Sequence, residues 1–435
     1  MSIAYVDPGN YQADIQAGAT TRYYLLFCVW WSTLLSIYIQ VLCVRLSYYG
    51  KMHLAEAQAR HTESSRSMRY LNWFIAEFST VITDLPEVIG IGIALNVMFG
   101  FEYWVGVILS LFTTMLFLAT MNHGINILEG IVACCVFFMA IALFVEMSFV
   151  GVETKELMEG WLFGFTKVTS EDVFSITGIL GAVVMPHNLY LHTAACQSRK
   201  VEQKDDALQQ AVKWSSWETV GPIIFSFFMN MAVVAIAAER VYGKVPDGDE
   251  VGLTDFCQFF EKIKGGCILW GIALLAAGQS SAITTTYTGQ YVMDGFLNIQ
   301  LPVAMRAVLT RLVAITPCVI VSAAFPDNLN QMVNIVNSLL AFLLPFAFTP
   351  LVKYTCSEEV MGRFVAPKWE RYLLYTLCFV IWLINAVAFS SAGGGLFGDS
   401  VHSMEAGPKK VALIILEVIF QVSFLSRSPF WCWNC

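Results

Sequence analysis

Two short segments interrupt apolar stretches of this sequence in the same way, with a proline followed two residues later by an asparagine. The first is the tetrapeptide 7–10 (Asp-Pro-Gly-Asn), and the second is the tetrapeptide 185–188 (Met-Pro-His-Asn). Proline lacks a backbone donor and blocks helix continuation, so each segment predicts a break within a helix. At membrane depth, a broken backbone is tolerated where it lines a cavity or binds something.

The side chains at the first break are those of a cation site. The carboxylate of Asp7 and the amide oxygen of Asn10 would lie beside freed backbone carbonyls, which gives a set of oxygen ligands. The alternative is a plain turn between two short helices, because Asp, Pro, Gly and Asn are all common turn residues.

The second break adds a sulfur atom. Met185 stands directly before the proline, where the helix is expected to unwind. A thioether beside hard oxygens favours Mn²⁺, Fe²⁺, Co²⁺ and similar ions over Mg²⁺ and Ca²⁺. Methionine also serves as a simple packing residue in apolar helices, and that interpretation stays open for Met185.

Titratable residues lie inside two apolar stretches. His187 and His192 follow the second break and suit either a proton relay or hydrogen bonds between helices. The stretch 69–98 contains three carboxylates that fall within about 80° of one another on a helix: Glu77, Asp84 and Glu87. Charges inside a membrane span indicate function, here a proton pathway. The alternative is structural ion pairing, for instance with Arg311.

A further pair of polar residues, Asn334 and Asn337, lies in the apolar stretch 329–354. Asn337 could supply an oxygen to the ion, and either asparagine could instead bridge neighbouring helices.

Composition places these motifs in a membrane. The chain has 435 residues, of which 57% are hydrophobic and 13% are charged, against about 25% charged in soluble domains. The net charge of −8 argues against a nucleic-acid partner. The 12 cysteines are scattered, several of them within apolar stretches, which is typical of small buried residues rather than a disulfide framework. No His-Glu-x-x-His motif occurs, so an intramembrane metalloprotease would lack its key element, and the motifs together lead us to expect a protein that is not an enzyme.

About twelve helices long enough to meet or cross a bilayer are predicted, with the first broken near Pro8 and the sixth near Pro186. They cover 2–20, 23–49, 69–98, 102–121, 126–150, 173–195, 214–238, 267–294, 305–325, 329–354, 370–392 and 409–426. Lysine and arginine are concentrated in the loops 51–70, 196–213 and 353–371, which predicts that these loops and the N-terminus are cytoplasmic. Two breaks separated by four intact spans predict an inverted repeat with a binding site at the midplane.

The longer motifs resemble those of the Nramp divalent metal transporters. The resemblance lies in residues 2–10, 14–19 and 181–192, in the third-span pattern of Glu77, Asp84, Glu87 and Gly90, and in the Leu-Pro-Phe-Ala sequence at 344–347. It implies a single transporter domain, 1–435, with a LeuT-like inverted repeat of five plus five helices (about 1–150 and 173–354) and two further helices (about 370–426). It also implies proton-coupled import of Mn²⁺ or Fe²⁺ toward the cytosol as substrate, with no resident cofactor.

The same resemblance implies a set of site residues. Asp7, Asn10 and Met185 match metal ligands, joined by the carbonyls of Ala4 and Ala182, whereas Asp84, Glu87 and His187 match proton-linked positions. Three features depart from the family pattern. Asn337 stands where the family usually has Gln, Pro86 is expected to kink the third span, and the six residues before Asp7 predict a truncated first half-helix.

Two other functions remain as alternatives at this stage. One is a sodium-coupled amino-acid symporter on the same fold, against which Met185 and the carboxylates of the third span argue. The other is a metal sensor that binds without transport, or an inactive product, which the short first half-helix motivates. The sequence does not indicate a particular membrane or an oligomeric state.

Overall fold

A computed structural model describes residues 6–62, 65–121, 125–169, 172–199, 201–244, 251–260 and 265–390, and every regular element in this part of the chain is helical. The helices are α1 (Pro8–Thr21), α2 (Leu26–Gly50), α3 (Leu54–His61), α4 (Arg66–Phe99), α5 (Tyr103–Met121), α6 (Ile125–Val150), α7 (Thr154–Phe163), α8 (Val173–Val183), α9 (Pro186–Gln197), α10 (Asp205–Arg240), α11 (Gly266–Leu297), α12 (Val303–Ala324), α13 (Leu329–Cys356), α14 (Glu358–Met361) and α15 (Lys368–Ser390).

Eight helices of the described residues are long and apolar enough to cross a membrane, counting α8 and α9 as one broken span. The ten predicted spans from 23–49 to 370–392 correspond to these eight and to α5 and α6, which are not among the eight, and their bounds agree to within a few residues, except that α10 begins nine residues earlier than expected. The short helices α3 and α7 were not predicted from the sequence. The last predicted span, 409–426, and the residues before Val6 lie outside the described part.

Pro86 does not end the third span. α4 runs as one helix from Arg66 to Phe99 with Pro86 inside it, as α13 does with Pro345 and Pro350. A proline removes one backbone bond, but in both helices the helical structure continues on either side of it. Only Pro8 and Pro186 mark helix starts next to a functional motif, each at the first helical position, where the missing donor has no intrahelical partner to lose.

Glycines let the first break approach its neighbours closely. A Cβ atom on Gly90 of α4 would lie 2.4 Å from Cγ of Pro8, and one on Gly181 of α8 would lie 1.9 Å from the carbonyl oxygen of Asn337 in α13. Neither position has room for a side chain. The start of α1, the middle of α4, the end of α8 and the middle of α13 therefore meet at one place in the bundle.

Contacts between loops define two sides of the molecule. On one side Arg22, which follows α1, pairs with Glu156 of α7 and with Glu239 near the end of α10. On the other side Gln197 donates to the carbonyl of Lys51 over 3.1 Å, and Arg363 pairs with Asp205. The three basic loops therefore share one side, as the sequence predicted, and the end of α1, helix α7 with Glu156 and the end of α10 with Glu239 share the other. We call these the basic side and the acidic side.

A disulfide joins Cys257 to Cys267 on the acidic side, a bond that the scattered cysteines of the sequence did not indicate. The sequence analysis judged the cysteines as one population and did not single out this pair, because Cys267 lies at the start of the apolar stretch 267–294. The other cysteines of the described residues are free, and most of them are buried. Disulfides persist in oxidising compartments, so the bond is consistent with a non-cytosolic acidic side.

Candidate metal-binding site

The first break folds the side chain of Asp7 over the start of α1. Asp7 is the N-cap residue, and its Oδ1 accepts from the backbone amide of Asn10 over 2.7 Å and from Asn10 Nδ2 over 3.2 Å. The residue is fully buried, and its other oxygen, Oδ2, has no hydrogen-bond partner. A side-chain oxygen at this position caps the helix, so Asp7 caps α1 through Oδ1 and keeps Oδ2 free for another partner.

Asn337 of α13 completes this corner from the opposite side. Its Nδ2 donates to the carbonyl oxygen of Gly9 over 2.9 Å, and its Oδ1 has no partner. A Cβ on Gly9 would lie 3.0 Å from that Oδ1 and 3.3 Å from Oδ1 of Asp7. The amide oxygen of Asn337 and the carboxylate of Asp7 therefore face the same small space beside Gly9.

The second break supplies backbone oxygen and sulfur. α8 ends at Val183, Val184 and Met185 are non-helical, and α9 begins at Pro186. Because Pro186 has no amide hydrogen, the carbonyl of Ala182 lacks the donor that a continuous helix would give it. Met185 is 3% exposed and Ala182 is fully buried, so neither group meets bulk solvent.

The donors fit a divalent ion. Three side-chain oxygens within this buried region have no hydrogen-bond partner: Asp7 Oδ2, Asn10 Oδ1 and Asn337 Oδ1. Leaving such atoms unpaired is unfavourable, and a cation would satisfy all three. Within the described ranges no group of three or more His, Cys, Asp or Glu side chains could hold a metal. The candidate site instead combines one carboxylate, amide and backbone oxygens and a thioether. Ala4 lies outside the described residues.

Asn188 is a residue that the sequence analysis quoted but did not assign. It occupies the place in the second break that Asn10 occupies in the first, it is 1% exposed, and neither its Oδ1 nor its Nδ2 has a partner. The shared Pro-x-Asn spacing was the signal that could have identified it.

Two carboxylates of α4 lie close to the candidate site. Asp84 accepts from Thr285 over 3.0 Å and lies 3.5 Å from Nε of Arg311, and Glu87 accepts from Ser281 over 2.5 Å. Both carboxylates are 1% exposed. The two α11 hydroxyls were not predicted, because serine and threonine in an apolar helix give no distinctive pattern.

The third α4 carboxylate has a different partner. Glu77 pairs with Arg306 of α12. Arg306 precedes Arg311 by a little more than one helical turn, and the sequence analysis did not single it out. Each of these two carboxylates therefore has its own arginine, Arg306 for Glu77 and Arg311 for Asp84. The structural ion pairing that was left as an alternative is present at both positions, and it does not exclude proton transfer.

The two histidines of α9 point to different neighbours. Nδ1 of His187 lies 3.1 Å from the hydroxyl of Thr83 on α4, and its Nε2 has no partner. Nδ1 of His192 lies 2.5 Å from Gln40 on α2, and its Nε2 lies 3.5 Å from Thr219 on α10. His187 therefore adjoins the α4 carboxylates, whereas His192 does not, since five residues turn a helix by about 140°.

Two cavities lie on either side of the candidate site at different distances, and only the smaller one is near the site. A cavity of about 80 Å³ lies one helical turn from it toward the acidic side, lined by Ala13, Gln16, Phe174, Ser175, Gly178 and Asn334. A cavity of about 480 Å³ lies on the basic side, lined in part by His53, Glu56, Arg60 and Asp294. Burial lowers the pKa of His53, and the charges of Glu56 and Asp294 partly oppose this.

A short segment covers the acidic-side end of α1. Residues 251–260 connect to α11 through the disulfide, the amide of Leu253 donates to Gln12 over 3.0 Å, and Asn330 donates to Thr254 over 2.9 Å. Leu253 and Phe256 are fully buried. The segment therefore ties α1 to α13 just beyond the candidate site.

The motif, fold and geometry agree with comparisons to known proteins. The family model described as natural resistance-associated macrophage protein-like, Nramp, matches residues 1–391. The chain belongs to the Nramp family. It is 37% identical to metal transporter Nramp2 of Populus trichocarpa over 99% of this chain and 81% of that protein. It is 36% identical to metal transporter Nramp2 of Arabidopsis thaliana over 92% of this chain and 78% of that protein.

Solved structures give the same result for the Nramp fold. A crystal structure of the Eremococcus coleocola manganese transporter, in complex with an aromatic bis-isothiourea compound, superposes with a TM-score of 0.85 at 26% identity and covers 99% of this chain and 92% of its own. Mhp1, a nucleobase-cation-symport-1 family transporter, superposes with a TM-score of 0.52 at 13% identity over 99% of this chain and 94% of its own, which shows the fold alone. The chain is a multi-pass, all-helical membrane protein of the LeuT-like type.

Proposed function

We propose that this Nramp protein transports divalent transition-metal ions, Mn²⁺ or Fe²⁺, across a membrane toward the cytosol together with protons. The observation that carries the proposal is the donor set between the two helix breaks. One buried carboxylate, two buried amide oxygens without partners and a thioether come from helices that meet there. Hard oxygens with one soft sulfur suit these ions better than Ca²⁺ or Mg²⁺.

The metal ligands in this proposal are the side chains of Asp7, Asn10, Met185 and Asn337 and the carbonyls of Ala182 and Ala4. Asn337 is one methylene shorter than the glutamine usual in the family. Its existing bond to the carbonyl of Gly9 holds Oδ1 toward Asp7, which compensates for the shorter reach. Nramp relatives named as metal transporters and the manganese transporter of similar fold support the same substrate class.

Protons follow a separate route along α4 in this proposal. Of the three α4 carboxylates, Glu87 lies nearest the proposed metal site. Asp84 accepts a hydrogen bond from Thr285 and lies beside Arg311. His187 lies next to the hydroxyl of Thr83. Glu77 continues the carboxylate series toward the basic side, and His192 lies further along α9. Buried carboxylates with neighbouring arginines and hydroxyls can exchange protons without leaving an isolated charge in the membrane.

The direction of transport follows from the two sides of the molecule. Basic loops face the cytosol, and the acidic side bears the small cavity that adjoins the site. The metal enters from the acidic side, binds between the breaks and leaves toward the basic side as the broken helices move.

The test is uptake of Mn²⁺ by the purified full-length protein in proteoliposomes with an inward proton gradient. Asp7→Ala removes the carboxylate ligand, so we expect uptake to fall at least tenfold. Glu218→Gln is the matched control, because that carboxylate is exposed and pairs with Arg199 at the surface. Asp7→Ala uptake equal to that of the parent, with the control also unchanged, would refute the site assignment.

A further inference from the structure

The cavity of about 80 Å³ on the acidic side of the candidate metal site has a wall whose polar residues have no role in the functions proposed above. The wall is formed by Ala13 and Gln16 of α1, by Phe174, Ser175 and Gly178 of α8, and by Asn334 of α13. The same three helices supply Asn10, Ala182 and Asn337 to the candidate site. A cavity needs about 10–15 Å³ to hold one water molecule, so this one has room for several.

Asn334 is the most buried polar residue of this wall. It is 7% exposed, and its backbone carbonyl accepts from the hydroxyl of Ser338 over 3.2 Å. Its side-chain amide forms no hydrogen bond with the rest of the described chain. Because a buried amide without a partner is unfavourable, a water molecule or a ligand in the cavity is needed to satisfy it.

Gln16 and Ser175 add two more polar groups to the cavity. Oε1 of Gln16 is buried and forms no hydrogen bond within the protein, and Ser175 contributes a hydroxyl from α8. The wall therefore offers amide and hydroxyl oxygens but no carboxylate. Protein sites bind hard cations more weakly when they have fewer charged ligands, so this wall suits an ion that keeps part of its water and moves on.

The order of residues along α13 places Asn334 between the acidic-side segment and the candidate site. Asn330 donates to Thr254 of segment 251–260 over 2.9 Å. Asn334 lies four residues after Asn330 and three residues before Asn337. The three asparagines fall within about 60° of one another around the helix and are separated by about 4.5–6 Å along it. An ion that moves inward from Asn330 therefore meets Asn334 one helical turn before Asn337.

We propose that Asn334 and Gln16 form an entry site, where the incoming divalent ion binds with part of its water shell before it moves to Asp7. This inference rests on the transport function proposed above. Small divalent ions lose water slowly, and amide oxygens that replace single water molecules one turn before the final ligands lower the barrier to that loss. The entry site therefore controls how fast the ion reaches the metal site, and not how tightly the metal site holds it.

Two measurements on the purified full-length protein separate rate from affinity. One is kcat/KM for Mn²⁺ uptake into proteoliposomes with an inward proton gradient, and the other is the Kd for Mn²⁺ from calorimetric titration in detergent. Asn334→Leu keeps the size of the side chain and removes the amide. We expect kcat/KM to fall by about fivefold or more and Kd to stay within about twofold, since a lower barrier speeds binding and release alike.

Three further variants complete the experiment. Asn334→Gln keeps an amide beside a cavity with room for it, so it should retain at least about half of the parental kcat/KM. Asn385→Leu on α15 is the matched control and should behave like the parent in both measurements, because Asn385 is also buried and its amide donates to the carbonyl of Ile381 in its own helix. Gln16→Leu changes a half-buried residue and should lower kcat/KM by about threefold, which serves if Asn334→Leu does not fold.

Parental kcat/KM in both Asn334→Leu and Gln16→Leu would overturn the entry site and leave the transport function intact. A loss of affinity in Asn334→Leu as large as its loss of kcat/KM would also overturn it, because Asn334 would then be a ligand of the fully bound ion. Asp7→Ala distinguishes the two proposals, since it is expected to lose both Mn²⁺ affinity and uptake. Absence of Mn²⁺ uptake by the parent protein would refute the transport function, and the entry site with it.

Discussion

At the scale of single residues, the candidate metal site depends on which polar atoms already form hydrogen bonds within the protein. The backbone amide and Nδ2 of Asn10 both donate to Oδ1 of Asp7, and Nδ2 of Asn337 donates to Gly9. Each donor is thus used within the protein. The oxygens that remain, Oδ2 of Asp7 and the Oδ1 atoms of the two asparagines, are acceptors only, and this makes the region selective for a cation.

Met185 provides the test of selectivity at this scale. Met185→Leu keeps the volume of the side chain and removes the sulfur, so packing should change little. We expect Mn²⁺ uptake to weaken about tenfold relative to Ca²⁺ or Mg²⁺ in competition assays, because only the transition metal gains from the thioether.

Met293→Leu serves as the control, because Met293 is a buried methionine of α11 that belongs to no break. Unchanged discrimination between Mn²⁺ and Ca²⁺ in Met185→Leu would contradict the role of sulfur.

The residues of the candidate site came from the sequence, whereas of its supporting contacts the sequence analysis offered only the pairing with Arg311. Proline and asparagine at fixed spacing identified both breaks, because these residue types act on the backbone next to them. Arg306, Ser281 and Thr285 were missed, since their roles depend on which helices are neighbours. His192 lies away from the α4 carboxylates for the same reason: its partners are on α2 and α10.

At the scale of elements, the first break is held by a tight contact between α1 and α4. Pro8 fits against Gly90, where even a methyl group would come within 2.4 Å of the proline ring. Asp7 is adjacent to this proline and Glu87 is three residues from the glycine. The contact therefore sets the distance between Asp7, the proposed metal ligand, and Glu87, which we propose belongs to the proton route.

Gly90→Ala should disturb that distance. The added methyl group must push α1 away from α4, and we expect Mn²⁺ affinity in a binding titration to fall at least fivefold. Gly221→Ala on α10 is the matched control, because a Cβ there meets no atom within 4 Å. An alanine in an open helical position is neutral or stabilises by about 0.5–1 kcal/mol. Equal affinities for the two variants would mean that this contact does not position the site.

Helix positions followed well from apolar length, because membrane spans must be long, apolar and internally hydrogen-bonded. The positions of elements outside the spans did not follow from apolar length. α3 and α7 are short, and α3 is buried on one side only through Leu54, Ala55, Ala57 and Gln58. The disulfide between Cys257 and Cys267 depends on how the acidic-side segment folds back on α11, which spacing alone does not determine.

At the scale of the whole molecule, the candidate site lies between two closures. Segment 251–260 ties α1 to α13 on the acidic side through Gln12 and Asn330. On the basic side α3 is bonded to α9 and α13, since Tyr190 donates to Gln58 over 3.2 Å and Gln58 donates to the carbonyl of Phe346 over 3.4 Å. Transport requires that these closures open in turn, so that the two sides never connect.

The proposed coupling to protons involves several helices, and Asp84 is where it can be tested separately from metal binding. Asp84 contacts α11 through Thr285 and α12 through Arg311, but it is not among the metal ligands proposed here. Asp84→Asn keeps the size of the side chain and removes the titrating group. We expect Mn²⁺ binding within about threefold of the parent and uptake that no longer rises when an inward proton gradient is imposed.

Thr284→Ala on α11 is the control, because its hydroxyl bonds only to the backbone of Ser281. If uptake by Asp84→Asn is still driven by the gradient to the parental extent, the proton route along α4 must be abandoned, whereas loss of Mn²⁺ binding would instead place Asp84 within the metal site.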